Sequence, residues 1–147
     1  MILKLLTLAS TALIVIPGGA HLFEMPAKMR MGEADYFTVQ SIYAGWAWFA
    51  VAIFAAIAAN GHVAWTLRRT DGVAARWALV SALLICLTLV IFFVWVFPGN
   101  RATANWTSIP PDWEDLRRNW EYGHAVNSVL TFVALLASGR AIIGGAR

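Results

Sequence analysis

Four long apolar runs, separated by polar stretches, dominate the pattern of the chain. Each is long enough to cross a membrane, because about 20 helical residues span the roughly 30 Å hydrocarbon layer. We therefore expect an all-α protein, an integral membrane four-helix bundle with antiparallel neighbours, formed by a single domain over residues 1–147. The pattern predicts transmembrane helices at about residues 2–23, 39–67, 74–97 and 113–143.

The composition supports a membrane protein. Of the 147 residues, 60% are hydrophobic and 13% are charged, which is too apolar for a soluble domain of this length. The formal charge of +3 comes from basic residues at the ends of the apolar runs, where membrane proteins carry them. We expect the lipid bilayer as a partner and no nucleic acid. The single cysteine, Cys86, excludes an intrachain disulfide framework and a cysteine-based zinc cluster.

The basic residues orient the bundle only slightly. An even number of spans puts both termini on one side, and cytoplasmic loops are enriched in lysine and arginine. We expect a bacterial inner membrane protein with both termini in the cytoplasm. The first run also resembles a signal peptide, but we expect an uncleaved helix. The terminal side carries Lys4, Arg68, Arg69, Arg76, Arg140 and Arg147, and the other side carries Lys28, Arg30, Arg101, Arg117 and Arg118.

Two short segments carry a histidine and a glutamate at the same spacing but in opposite order. They are His21-Leu22-Phe23-Glu24 near the end of the first span and Glu121-Tyr122-Gly123-His124 in the fourth. Residues three apart share a face of a helix. Because these two spans run in opposite directions, both histidines fall on one level and both glutamates about 4.5 Å above it, three residues at 1.5 Å each. If the two helices are neighbours, the four side chains converge near the outer membrane face.

Other polar side chains are expected at the same membrane depth as the two His/Glu pairs. Ionisable groups at membrane depth are costly and usually face the bundle interior or a watery cavity. Tyr36, Gln40 and Tyr43 form a stripe at helical spacing, and Asn127 continues the Glu121–His124 face by one turn. The tryptophans also fit an ordinary belt at the membrane interface. As substrate-binding residues we expect Gln40, Tyr43, Trp95, Trp120 and Asn127.

The two His/Glu pairs suit several kinds of chemistry. Imidazole and carboxylate ligands favour one transition metal ion, such as iron, copper or zinc. A ferritin-like di-iron centre needs two further carboxylates, and spans two and three provide none. A haem held by both histidines is an alternative, as is a metal-free acid–base set acting on an apolar acidic substrate. A purely structural interpretation pairs Glu24 with Lys28, and Glu121 with Arg117 or Arg118. We expect catalytic and metal-binding roles for His21, Glu24, Glu121 and His124.

The start of the fourth span resembles a known group of membrane proteins. The segments 21–28 and 36–43 are also similar to segments of that group. The Trp-x-x-Leu-Arg-x-x-Trp-Glu-x-x-His core resembles that of the DUF1772, or anthrone oxygenase-like, family. This resemblance implies a small four-helix membrane protein, and some members are associated with oxygenation of anthrones to anthraquinones. The core comprises Trp113, Leu116, Arg117, Trp120, Glu121 and His124.

These observations and the resemblance favour a membrane-embedded oxidoreductase. We expect an oxygenase of the anthrone oxygenase-like kind, acting on an apolar aromatic or quinone-like substrate at a His/Glu site near the outer membrane face. One alternative is a non-enzymatic accessory subunit that binds partner subunits in a larger membrane complex. The other is a haem-binding membrane cytochrome.

Overall fold

The computed structural model of the chain describes residues 2–144. Met1 and residues 145–147 lie outside it, and these include Arg147, one of the basic residues used above to orient the bundle. Two short 3₁₀ turns, Ser41–Tyr43 and Trp46–Trp48, lie between the helix that ends at Gln40 and the helix that begins at Phe49. A π turn, Phe92–Val96, joins the fourth helix to the fifth. Among the described residues there is no strand, which confirms the all-α prediction. The helices are α1 (Ile2–Lys28), α2 (Glu33–Gln40), α3 (Phe49–Leu67), α4 (Gly72–Ile91), α5 (Phe97–Ala102) and α6 (Trp113–Gly144).

Four helical segments are long and apolar enough to cross a membrane. Large apolar side chains such as Phe54, Leu83 and Leu136 face outward from these segments, where lipid would surround them. The predicted integral membrane four-helix bundle is therefore confirmed. The segments are Ile2–Lys28, Trp46–Leu67, Gly72–Ala102 and Trp113–Gly144.

The four long helices pack in a ring, in the order α1, α3, α4, α6 and back to α1. Small side chains let the backbones approach closely, as is usual where lipid removes the hydrophobic drive between helices. Ala56, Ala78 and Ala134 are fully buried in the core. Between α1 and α6, a Cβ added to Gly18 would lie 3.3 Å from Ser128 Oγ, and this hydroxyl donates to the Gly18 carbonyl. The first and last helices are thus direct, antiparallel neighbours.

The predicted second span, 39–67, is divided in the structure. Gly45 has a φ of +85°, a left-handed conformation that glycine adopts without steric cost. The chain therefore breaks between Tyr43 and Trp46, and α3 begins only at Phe49. As a result, α2 is a separate short helix that packs against the start of α6 through Tyr36.

Two other spans continue beyond their predicted ends. Helix α1 runs to Lys28 rather than residue 23, so His21 and Lys28 lie on one continuous helix. The third span passes Pro98 and ends at Ala102. A π turn that ends at Val96 widens the helix near Pro98, where proline removes a regular hydrogen bond. Gly123 of α6 packs against this turn, and a Cβ there would lie 2.8 Å from Val96 Cγ2.

Candidate functional site

The imidazole rings of His21 and His124 stack inside the bundle. Their centroids are 3.9 Å apart and their planes differ by 19°. Trp120 meets both rings edge-on, with centroids 5.0 Å from His21 and 4.2 Å from His124. Tyr43 and Trp46 flank His21 at 4.6 and 5.3 Å. The antiparallel packing of α1 and α6 thus brings the two histidines together within an aromatic enclosure.

Lys28 lies between the two glutamates. Its Nζ is 2.9 Å from Glu121 Oε1 and 3.9 Å from Glu24 Oε2, and it donates to the Tyr43 hydroxyl at 2.7 Å. The Tyr43 hydroxyl in turn donates to Glu24. Lys28 and Glu121 are 1% and 0% exposed, so each charge depends on the other for compensation. One ammonium group therefore connects both carboxylates.

The network continues into α2. Tyr36 donates to Glu121 Oε1 at 2.9 Å and accepts from Gln40 Nε2 at 2.5 Å. Burial, reinforced by Glu121, raises the pKa of Tyr36. Burial, reinforced by the hydrogen bond to Glu24, raises the pKa of Tyr43. Both phenols therefore keep their protons at neutral pH. A connected path leads to the partly exposed Glu24 carboxylate, and its members in order are Gln40, Tyr36, Glu121, Lys28, Tyr43 and Glu24.

An apolar cavity of about 770 Å³ adjoins the histidine pair. This volume lies within the range of small-molecule sites. Trp95 does not line the cavity, and its side chain is 50% exposed on the outside of the bundle. Three buried atoms of the wall, His21 Nδ1, Gln40 Oε1 and Asn127 Oδ1, have no hydrogen-bond partner among the described residues. The remaining predicted substrate residues line the cavity together with both histidines, namely Gln40, Tyr43, Trp120 and Asn127.

The four predicted metal ligands do not form a common coordination site in this arrangement. Both carboxylates face Lys28 rather than the imidazoles. Within residues 2–144, no group of three or more His, Cys, Asp or Glu side chains is placed to hold a metal ion. The stacked rings of His21 and His124 also leave no space for a haem iron between them. Metal binding stays a prediction that needs its own test.

Comparisons of the chain with protein-family models, with curated proteins and with solved structures found no match. These comparisons therefore provide no relative from which the function could be inferred. The resemblance to the DUF1772 family is therefore untested, and the function has to be argued from the geometry of the site.

Two residues have roles that the sequence interpretation missed. Lys28 was expected at most to pair with Glu24, yet its closer carboxylate is Glu121. The signal was its position seven residues after His21, two helical turns along the same face. No substrate-binding role was predicted for Asn100. Its Oδ1 accepts from the indole nitrogens of Trp106 and Trp120, at 3.1 and 2.8 Å, and so fixes the cavity wall.

Arg117 does not pair with Glu121, although the spacing allowed it. Its guanidinium donates to the Met31 carbonyl at 2.8 Å and lies 4.6 Å from the centre of the Trp113 ring. Its nearest carboxylate is the exposed Glu114, at 4.0 Å. Arg117 therefore ties α6 to the turn before α2 and leaves Lys28 as the charge partner of Glu121.

Proposed function

We propose that this chain is a membrane-embedded oxidoreductase acting on an apolar, aromatic, weakly acidic substrate, and that His21 and His124 accept the substrate proton. The observation that carries the proposal is the stacked imidazole pair in the wall of an apolar cavity of about 770 Å³. A correctly placed general base contributes roughly 10²–10⁴-fold to rate. Histidine is the residue that most often does so.

The cavity wall supports a ring-shaped substrate that carries hydroxyl or carbonyl groups. Trp46, Phe92 and Trp120 provide apolar aromatic surface, which packs well against planar rings. The amide oxygens of Gln40 and Asn127 are buried without a hydrogen-bond partner among the described residues. Each can accept a hydrogen bond from a ring hydroxyl. Phenols, hydroquinones and anthrones share these features.

The charged network beside the cavity supports removal of the proton. Lys28 Nζ lies 4.8 Å from the centre of the Trp120 ring, which lines the cavity. Its positive charge is compensated by Glu121 at 2.9 Å, so the charges next to the cavity are paired. Tyr43 contacts His21 and donates to Glu24, whose side chain is 39% exposed. A proton that reaches the Tyr43 hydroxyl can leave towards the outer face through Glu24.

For an anthrone, the acid–base step would lead to oxidation by dioxygen. Removal of a proton from the ring CH₂ group gives a carbanion that is delocalised over the rings. The carbon then loses four electrons in total and dioxygen gains them. One oxygen atom becomes the new carbonyl group, and the other leaves as water with the two hydrogens of the CH₂ group. The substrate class in this step comes from the family resemblance.

A second form of the proposal includes one iron, copper or zinc ion. His21 and His124 are the side chains that would hold it, and such an ion would supply Lewis acid or redox chemistry. Glu121 or Glu24 could join only by leaving Lys28, which lies 2.9 and 3.9 Å from their carboxylate oxygens. We favour the acid–base form because Lys28 already occupies the position between the two carboxylates.

We further propose a bacterial inner membrane location with both termini in the cytoplasm. The slight excess of basic residues on the terminal side supports this orientation. It places the histidine pair near the outer face, because His21 and His124 lie towards the end of the bundle away from the termini. A cytoplasm-active reporter fused to the C-terminus should be active, and an inactive reporter would reverse the orientation.

The test uses the full chain in lipid nanodiscs with anthrone as substrate, following dioxygen uptake and the quinone absorbance. His21→Gln and His124→Gln should each lower turnover by about 10²-fold or more. His62→Gln is the matched control, because His62 is exposed at the opposite end of the bundle. Equal turnover in all four proteins would refute the role of the pair. A wild-type chain that binds neither anthrone nor a quinone would refute the proposal itself.

A further inference from the structure

A second depression lies on the outside of the bundle, between α1 and α3. This groove has a volume of about 600 Å³. Leu13, Trp48 and Val51 line it with exposed apolar side chains. It therefore lies on a surface that faces the hydrocarbon of the bilayer.

The groove and the cavity adjoin at the break before α3. Four residues, Ala44, Gly45, Trp46 and Phe49, line both. A Cβ added to Gly45 would meet no atom within 4 Å. A side chain at this position would thus project into open space. The break therefore lies where the lipid-facing groove meets the wall of the cavity that contains the histidines.

The cavity has a second boundary at the outer end of the bundle, and this boundary is polar whereas the groove is apolar. Ser41, Asn105 and Thr107 line it there with exposed polar side chains. An apolar ring molecule concentrates in the bilayer, because burying its surface away from water is worth about 25 cal/mol per Å². Such a molecule meets the apolar groove before it meets the polar boundary.

We propose that the groove between α1 and α3 is the port through which a lipid-dissolved quinone or hydroxyarene reaches the histidine pair directly from the bilayer. This inference rests on the proposed function, because it assigns an access route to the same site. The polar boundary then serves exchange with water at the outer face. Selection of the substrate begins with its solubility in lipid.

Stopped-flow quenching of tryptophan fluorescence by decylubiquinone, in nanodiscs that hold the full chain, tests the port. Ala55→Phe fills the groove from an exposed position of α3. Ala58→Phe is the matched control, since Ala58 is exposed on the same helix but does not line the groove. Thr107→Phe obstructs the polar boundary instead. Phenylalanine is used so that no new tryptophan contributes to the signal.

The expected result is kinetic. Ala55→Phe should slow association and dissociation alike, by about tenfold or more, which is a barrier increase of about 1.4 kcal/mol, with Kd unchanged. Ala58→Phe and Thr107→Phe should keep wild-type rates. Wild-type rates in Ala55→Phe, or slowing in Thr107→Phe alone, would overturn the port and leave the proposed function standing. If decylubiquinone does not quench wild-type protein, or quenches Trp120→Phe to the same extent, this quinone does not reach the cavity and the port is overturned. Anthrone binding and turnover then decide the proposed function separately.

Discussion

Replacing Lys28 by methionine tests whether the buried charges are coupled as the geometry indicates. At 2.9 Å from Glu121 Oε1, the attraction is about 6 kcal/mol at an effective dielectric constant of about 20. Removing both charges from water offsets much of this. Replacing only the lysine leaves the Glu121 carboxylate charged and fully buried. Tyr36 is then its remaining hydrogen-bond donor. We therefore expect Lys28→Met to lower the free energy of unfolding by about 3–5 kcal/mol, as for other broken buried pairs.

Reversible unfolding in mixed micelles, followed by tryptophan fluorescence, measures this loss. Lys4→Met is the matched control, because Lys4 is the chain's other lysine and forms no ion pair among the described residues. The double variant Lys28→Met/Glu121→Gln should recover most of the stability, since it removes the uncompensated charge together with its partner. A Lys28→Met variant as stable as Lys4→Met, or a double variant no better than Lys28→Met alone, would refute the coupling.

Three further predictions follow from particular contacts. Gly123→Ala should lower the free energy of unfolding by about 1–3 kcal/mol, because the new Cβ would lie 2.8 Å from Val96 Cγ2. Gly139→Ala on the same helix, where a Cβ meets no atom within 4 Å, should be neutral or stabilising in the same assay. Tyr43→Phe should slow anthrone turnover by about tenfold, because it removes the hydroxyl between Lys28 and Glu24, and unchanged turnover would contradict this proton route. Metal analysis of wild type and of the double variant His21→Ala/His124→Ala should give equal contents if the acid–base form is right; about one equivalent lost in the variant would establish the metal form.

The bundle and the meeting of the two His/Glu segments could be anticipated from the sequence for a geometric reason. A spacing of three residues fixes which side chains share a helix face, and an even number of crossings makes the first and last helices antiparallel. Reversal of the motif then brings His21 level with His124, and their rings are 3.9 Å apart. This argument needed only that α1 and α6 be neighbours, which is how they pack.

Local departures from regular helix geometry could not be anticipated. The break at Gly45 depends on a left-handed backbone conformation inside a run that is apolar on both sides. The hydrophobicity pattern alone therefore predicts one span over residues 39–67. The π turn likewise made the direction of the Trp95 side chain impossible to predict from the sequence. A π turn contains one more residue than an α-helical turn, which shifts later side chains by about 100° around the axis. Helical counting therefore could not place Trp95, which faces outward.

The position of Lys28 explains why a set of residues chosen as metal ligands can be stable without that role. Two carboxylates directed to one level in a low-dielectric bundle require a positive charge near them. A metal ion is one source of that charge, and a buried lysine ammonium is another. Lys28 lies two turns beyond His21 on the same face of α1, and its Nζ contacts the carboxylates of both segments. The ammonium thereby leaves the two imidazoles free of the glutamates and facing an apolar cavity, and the proposed acid–base role depends on this arrangement.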